Sequence, residues 1–208
     1  MRFCATTRRQ PGMAATEPDQ LLGEIRGCRV CAAQLGHEPR PVVQAAASAR
    51  LLIVGQAPGS KVHASGIPWD DDSGERLRDW TGLSRDTFYN AQRVAMMPMG
   101  LCYPGKGASG DLPPRPECAP LWHARLLAAL PGLRLTLLVG QYAIARYLSA
   151  RPKVSLAEAV RNRAAAPPGM LPLPHPAWRS TLWMKKNPWF AAEMLPDLRA
   201  SVRLALAD

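Results

Sequence analysis

Arg50-Leu51-Leu52-Ile53-Val54-Gly55-Gln56-Ala57-Pro58-Gly59 is the stretch that decides the fold. Its aliphatic residues follow one another without polar alternation, the pattern of a short strand buried on both faces, and Gly55 opens a tight turn at its end. Val94 to Met97 and Leu135 to Val139 repeat that pattern. Leu171 to Leu173, broken by proline and ending at Pro174-His175-Pro176, reads as a fourth strand that stops at a loop. Helical stretches at Gly74 to Trp80, Pro120 to Leu130 and Gln141 to Leu148 lie between them, so strands and helices alternate. That order predicts a three-layer α/β/α sandwich around a central, mostly parallel four-stranded sheet. Such sheets bind ligands beyond the carboxyl ends of their strands. Those ends carry Gln56 to Gly59, Pro98 to Gly100, Gly140-Gln141 and His175 to Arg179, which are expected to converge on one cleft.

With 208 residues and 47% hydrophobic content the chain can bury one sizeable core, which excludes wholesale disorder. Residues 1–18 hold Arg8, Arg9, Pro11, Gly12 and Pro18 without apolar periodicity and read as a flexible N-terminal extension; residues 19–208 read as a single domain. No apolar run approaches the roughly 18 to 20 residues of a membrane helix, and the arginine-rich start lacks the apolar stretch of a secretory signal. A cytoplasmic monomer with no membrane partner is expected. The 26 Lys+Arg against 16 Asp+Glu leave a net charge of +10, which favours a polyanionic partner such as nucleic acid. Arginine-rich composition produces the same surplus without such a partner, so charge alone does not decide.

Four of the five cysteines form a tight pair, Cys28 and Cys31, and a wide pair, Cys102 and Cys118; Cys4 is left over in the extension. Leu21, Leu22 and Ile25 have helical spacing and deliver the tight pair at the helix end. A zinc ribbon uses two tight knuckles, whereas one tight and one wide pair suit an iron-sulfur cubane. Zinc and four metal-free buried cysteines are the alternatives. The Gly- and Pro-rich segment between Cys102 and Cys118 is a long loop that a cluster would staple.

Taken together, these motifs resemble the uracil-DNA glycosylase superfamily, most closely its iron-sulfur branch (family 4). The resemblance runs from about Leu21 to Leu204 and is carried by Gly55-Gln56-Ala57-Pro58-Gly59, Gly66-Ile67-Pro68-Trp69, Leu137-Leu138-Val139-Gly140, His175-Pro176 and the cysteine spacing. It implies a structural [4Fe-4S] cluster on Cys28, Cys31, Cys102 and Cys118. It also implies a nucleoid-associated DNA repair enzyme that flips uracil out of DNA and hydrolyses its N-glycosidic bond, leaving an abasic site. A non-catalytic binder of damaged or single-stranded DNA, and a glycosylase for hypoxanthine or xanthine, are the rival readings.

Base flipping needs an aromatic floor and donors for the departing base. Trp69 is expected to be that floor, against the plainer reading of a core tryptophan. Neutral His175 is expected to donate to the uracil O2, and the turn Gly55, Ala57, Pro58 and Gly59 to bring main-chain N–H groups close. Gln56 stands where the branch has glutamate and is left to position water or bond the base. Asp71 or Asp72 is expected to activate water; the competing reading makes this acidic run a solvated loop, with Asp72 or Ser73 capping a helix. Relatives carry a uracil-reading asparagine where this chain has Pro98, so either the base edge falls to backbone near Met99 and Gly100, or to Asn90, or the substrate range differs. After His175, Trp178 is the candidate wedge, and Arg179, Lys185 and Lys186 are the candidate phosphate contacts. Trp183 and Trp189 alternatively pack the final helix.

Overall fold

A computed structural model describes residues 18–108, 110–148 and 155–207. The expected N-terminal extension, with Cys4, lies outside the described residues except for Pro18, which opens the first helix. The strands are β1 (Leu51–Val54), β2 (Val94–Met96), β3 (Lys106–Gly107), β4 (Gly110–Asp111), β5 (Leu135–Val139) and β6 (Met170–Leu173). The helices are α1 (Pro18–Arg26), α2 (Ala32–Leu35), α3 (Ser60–Ser65), α4 (Asp72–Thr81), α5 (Arg85–Phe88), α6 (Ala124–Ala128), α7 (Gln141–Tyr147), α8 (Leu156–Arg161), α9 (Ser180–Lys186) and α10 (Leu195–Leu206). Single π-helical turns, Ala119–His123 and Phe190–Met194, lead into α6 and α10.

The main sheet has the order β2-β1-β5-β6 and all its pairings are parallel, which bears out the expected central four-stranded, mostly parallel sheet. β3 and β4 form a separate antiparallel hairpin inside what reads from sequence as an unstructured loop. Its two-residue strands lie below the length at which sequence periodicity becomes visible.

Side chains alternate across the sheet and both faces are covered. Leu51, Ile53, Val94, Met96, Leu137 and Val139 pack with Leu77 and Trp80 of α4, Phe88, Phe190 and Leu198 and Val202 of α10. Leu52, Val54, Ala95 and Leu138 face the other way, onto Leu21, Leu22, Ile25, Leu126 and Ala143. This two-sided burial is why β1 is an unbroken apolar run: its four side chains are fully buried, and each contributes about 1.5 to 3 kcal/mol on leaving water.

At the amino ends of three strands the residue just before the strand is an arginine. Arg50 and Arg134 donate to the Ala207 carbonyl, the latter at 2.6 Å, and Arg93 donates to the Leu206 carbonyl at 2.8 Å. The Leu206 carbonyl belongs to the last turn of α10, where helix geometry leaves acceptors without internal donors and a partial negative charge, and Ala207 is the extended residue that caps it. Among the described residues no helix is long and apolar enough to cross a membrane.

Candidate functional site

The opposite, carboxyl end of the sheet holds a cavity of about 640 Å³. The four strand ends converge there: Gly55 to Gly59 after β1, Pro98 after β2, Gly140 and Gln141 after β5, and His175, Ala177 and Arg179 after β6. Gln56, half-buried, faces the cavity, and so do Ala57 and Pro58.

Trp69 stands against the β1 turn. A Cβ on Gly55 would lie 2.7 Å from the indole ring, so only glycine lets the ring pack onto the backbone. Trp69 itself has φ 57°, the one non-glycine residue in the left-handed region among the described residues. Such strain costs on the order of 1 to 3 kcal/mol and persists only where its surroundings over-determine it. Here the Trp69 carbonyl accepts from the Tyr89 hydroxyl at 3.0 Å, and that hydroxyl accepts from Arg78 at 3.1 Å. Gly74 closes the other side, since a Cβ there would sit 1.7 Å from the Trp69 oxygen.

The His175 ring centroid is 5.6 Å from that of Trp69, with the planes tilted by 31°. Burial lowers the His175 pKa, against the opposite pull of Asp71, so the imidazole is neutral near pH 7. Gly140, at φ 89°, runs beside it and would place a Cβ 3.4 Å from the His175 Cβ. Asp71 lines the cavity and caps α4, its Oδ1 accepting from the Gly74 N–H at 2.9 Å. Asp72 is not the cap and does not face the cavity: it is exposed and paired with Lys61 at 2.9 Å, which corrects its expected catalytic role. Asp70 is paired with Arg85 at 3.3 Å.

The expected substitutes for the missing asparagine are not available. The Met99 N–H is bonded to the Gly55 carbonyl and the Gly100 N–H to the Gln56 carbonyl, both at 2.9 Å, because the segment after β2 continues to pair with the segment after β1. Asn90 lies before β2, at the wrong end of the sheet, exposed, with its side chain accepting from the Gln92 N–H. Behind Pro98, buried His123 and half-buried Tyr147 form a short chain. A carbonyl can only accept, so His123 Nε2 donates to the Pro98 oxygen at 3.2 Å and Nδ1 accepts from the Tyr147 hydroxyl at 2.8 Å. Burial lowers the His123 pKa and pushes Tyr147 up to about 12, which keeps both neutral.

Arg76 of α4 joins the two cavity walls. It donates to the Pro176 carbonyl at 3.1 Å, the Ala177 carbonyl at 2.7 Å and the Ser180 hydroxyl at 3.3 Å. Trp178, in the segment so held, is 68% exposed, with the Arg179 guanidinium 5.3 Å over its ring. Lys185 and Lys186 end α9, exposed and outside the cavity lining. Trp183 and Trp189 pack edge-on with Phe190 and belong to the core, although Trp183 also reaches the cavity. Asp111 and Tyr142 also line the cavity and carry no sequence signal, and Ser73, expected only as a helix cap, lines it too. Arg76, Tyr89 and His123 act through backbone carbonyls, which leave no motif.

Cys28, Cys31, Cys102 and Cys118 are all free thiols. Burial, then proximity to Cys118, Cys28 and Cys31, pushes Cys102 up to about 12, and burial with Cys31 and Cys28 nearby takes Cys118 to about 11. Cys102 and Cys118 are therefore each within electrostatic reach of Cys28 and Cys31. No three His, Cys, Asp or Glu side chains among the described residues close on a point that would hold a single ion.

A parallel sheet with a cleft at its carboxyl end, a glycine turn against a strained tryptophan, and a neutral histidine on the last strand together match the residues that carry the resemblance. Residues 42–199 match the model of the uracil DNA glycosylase superfamily, so the chain belongs to that superfamily, with a DNA glycosylase-type function as a hydrolase acting on N-glycosyl bonds in DNA.

Proposed function

We propose that the protein is a monofunctional uracil-DNA glycosylase. The observation that carries this reading is the shared wall of strained Trp69, neutral His175 and Asp71 at the mouth of one cavity. A ring stacked between Trp69 and His175 needs two contacts of about 3.5 Å each, more than the 5.6 Å between the rings. The flipped base therefore lies on one side of both, its face on Trp69 and its edge at His175.

As the N-glycosidic bond breaks, its electron pair goes to the base, and the neutral imidazole donates to the oxygen where that charge collects. Such preorganised donors are worth about 2.7 to 4 kcal/mol in comparable sites. Water adds to the sugar carbon and passes its proton to the free oxygen of Asp71. No nucleophilic lysine takes part: Lys61 is salt-bridged to Asp72, which raises its pKa. Trp178 fills the gap left by the base, while Arg179, Lys185 and Lys186 contact phosphates.

Four free thiols that close on no single-ion point support a [4Fe-4S] cluster over zinc, because a cubane spreads its thiolates over a wider shell than one zinc ion does. Cys28, Cys31, Cys102 and Cys118 would hold it. When bound, it cross-links the segment after α1 to the long loop and to the turn before α6.

Pro98 supports a second reading on base choice. Its side chain has no donor and its carbonyl is bonded to His123, so Gln56 and Gln141 are the amides left to read the base edge. Hypoxanthine and xanthine are the alternative bases. The test is base release from end-labelled oligonucleotides containing one deoxyuridine, deoxyinosine or deoxyxanthosine, developed by alkaline cleavage, with His175→Ala as control. Cleavage at deoxyuridine by the wild type alone supports the proposal. Cleavage only at a deaminated purine selects the second reading, and tight binding without cleavage of any substrate selects the non-catalytic one.

A further inference from the structure

We propose that Asp111 is a second catalytic carboxylate of this cleft, sharing the attacking water with Asp71 across Gly59; the inference rests on the glycosylase reading above. Asp111 ends the β3–β4 hairpin and faces the same cavity as Asp71 and His175. The hairpin is held in place. Leu112 N–H bonds the Gly105 carbonyl at 2.9 Å, and Tyr103 stacks on His37, whose ring is 4.5 Å from that of His63 on α3.

The two carboxylates aim at one small volume. A methyl group on Gly59 would stand 3.5 Å from Asp111 Oδ2 and 3.9 Å from Asp71 Oδ2. The absent side chain thus leaves a gap in which one water-sized particle touches both oxygens. Each carboxylate has its other oxygen occupied: Asp71 Oδ1 takes the Gly74 N–H, and Asp111 Oδ1 faces the Tyr103 hydroxyl at 3.5 Å. Neither is ion-paired among the described residues, although the chain carries a net +10. Two unpaired carboxylates repel the phosphates of the DNA this cleft receives, so they weaken binding unless they act on positive charge.

The reaction supplies that charge at the sugar carbon. As the glycosidic bond opens, the sugar becomes oxocarbenium-like and the base leaves with the electron pair. Asp111 and Asp71 orient the water by accepting its two O–H groups. One of them takes the proton as the new C–O bond forms, while the other remains ionised beside the sugar. The base anion later takes up a proton from solvent.

The test is single-turnover base release from the preferred oligonucleotide, with DNA affinity and thermal midpoint measured on the same proteins. Asp111→Asn is expected to slow release by about 100-fold, with the midpoint unchanged and DNA bound at least as tightly. Because the pair shares one water, the Asp71→Asn, Asp111→Asn double variant is expected to be about as slow as the slower single variant rather than the product of both. Gly59→Ala is an independent arm. Its methyl meets only ordinary contacts and its backbone, at φ −82°, suits any residue, yet it fills the gap, so release falls without loss of stability. Wild-type release by Asp111→Asn, alongside slow release by Asp71→Asn, overturns the inference while sparing the glycosylase reading. A change confined to affinity does the same. An inactive wild type on every deaminated base overturns both and is recognised by that fact.

Discussion

The two ends of the same four-stranded sheet are built on opposite rules. At the amino end Arg50, Arg93 and Arg134 each precede a strand and donate to the Leu206 carbonyl that ends α10 or to that of the capping residue Ala207, so that these acceptors are satisfied. At the carboxyl end a tryptophan is held at φ 57°, the His175 ring makes no hydrogen bond among the described residues, and two carboxylates that form no ion pair among those residues face one gap. One end lowers the energy of the fold. The other keeps strain and unsatisfied polar groups in place, which is expected of a surface whose partners are a base, a sugar and a water molecule. The rigid layers between let the second end exist, since the strain at Trp69 is small beside the burial of β1 and its neighbours.

The largest predicted effect breaks the strained end. Gly74→Ala puts a Cβ 1.7 Å from the Trp69 carbonyl oxygen, a contact that only backbone movement relieves. Overpacking of this kind costs about 1 to 3 kcal/mol, and displacement of the stacking ring by about 1 Å costs on the order of 100-fold in rate. Differential scanning calorimetry and base release should both register the loss; normal activity would mean that Trp69 does not need its left-handed conformation. Next comes Arg76→Ala. It removes three contacts that one guanidinium nitrogen makes between the walls, with a stability cost of about 1.5 to 3 kcal/mol. The turnover number should fall roughly tenfold or more. Arg76→Lys should restore part of the loss, because all three contacts leave one nitrogen, Nη1, whose place a single ammonium can take. If Arg76→Ala lost only stability, the contacts would be structural alone.

The smaller third effect is at the other end. Arg93→Ala should lower stability by about 0.5 to 1.5 kcal/mol in urea denaturation and leave base release unchanged. A loss of rate there would mean that the two ends are coupled through the sheet.

Much of this division is legible in the chain. The apolar runs and the glycine or proline after each strand mark the sheet and its carboxyl end, because burial on both faces and tight turns each demand particular residue types. Trp69, His175 and Asp71 are legible through their motifs. Asp72 is misread because in an acidic run the residue that caps a helix and the one that faces solvent differ only in backbone angle. Met99 and Asn90 are misread for a related reason: whether an N–H is free, and at which end of a strand a residue sits, depends on pairing the sequence does not print. Asp111 gives no signal, being one carboxylate in a glycine-rich loop whose hairpin pairs only two residues on each side.

The smallest predicted effect follows from titration and separates the ends once more. His63, His123 and His175 all have pKa values lowered, in each case chiefly by burial. Lowered values mean that the unfolded chain takes up protons at a higher pH than the folded one. The stability these groups contribute is therefore present above the unfolded value of about 6.5 and is lost as pH falls through their folded values. All three lie on the site side of the sheet: His63 on α3, His175 at the cavity, His123 behind Pro98. The amino end is held by arginines rather than histidines. Thermal midpoints should thus decline between about pH 7.5 and 5, with Arg93→Ala running parallel below the wild type and His175→Asn showing a shallower decline. Equal slopes in all three proteins would mean that His175 takes up its proton without penalty, and would remove the physical basis for a neutral donor at the base edge.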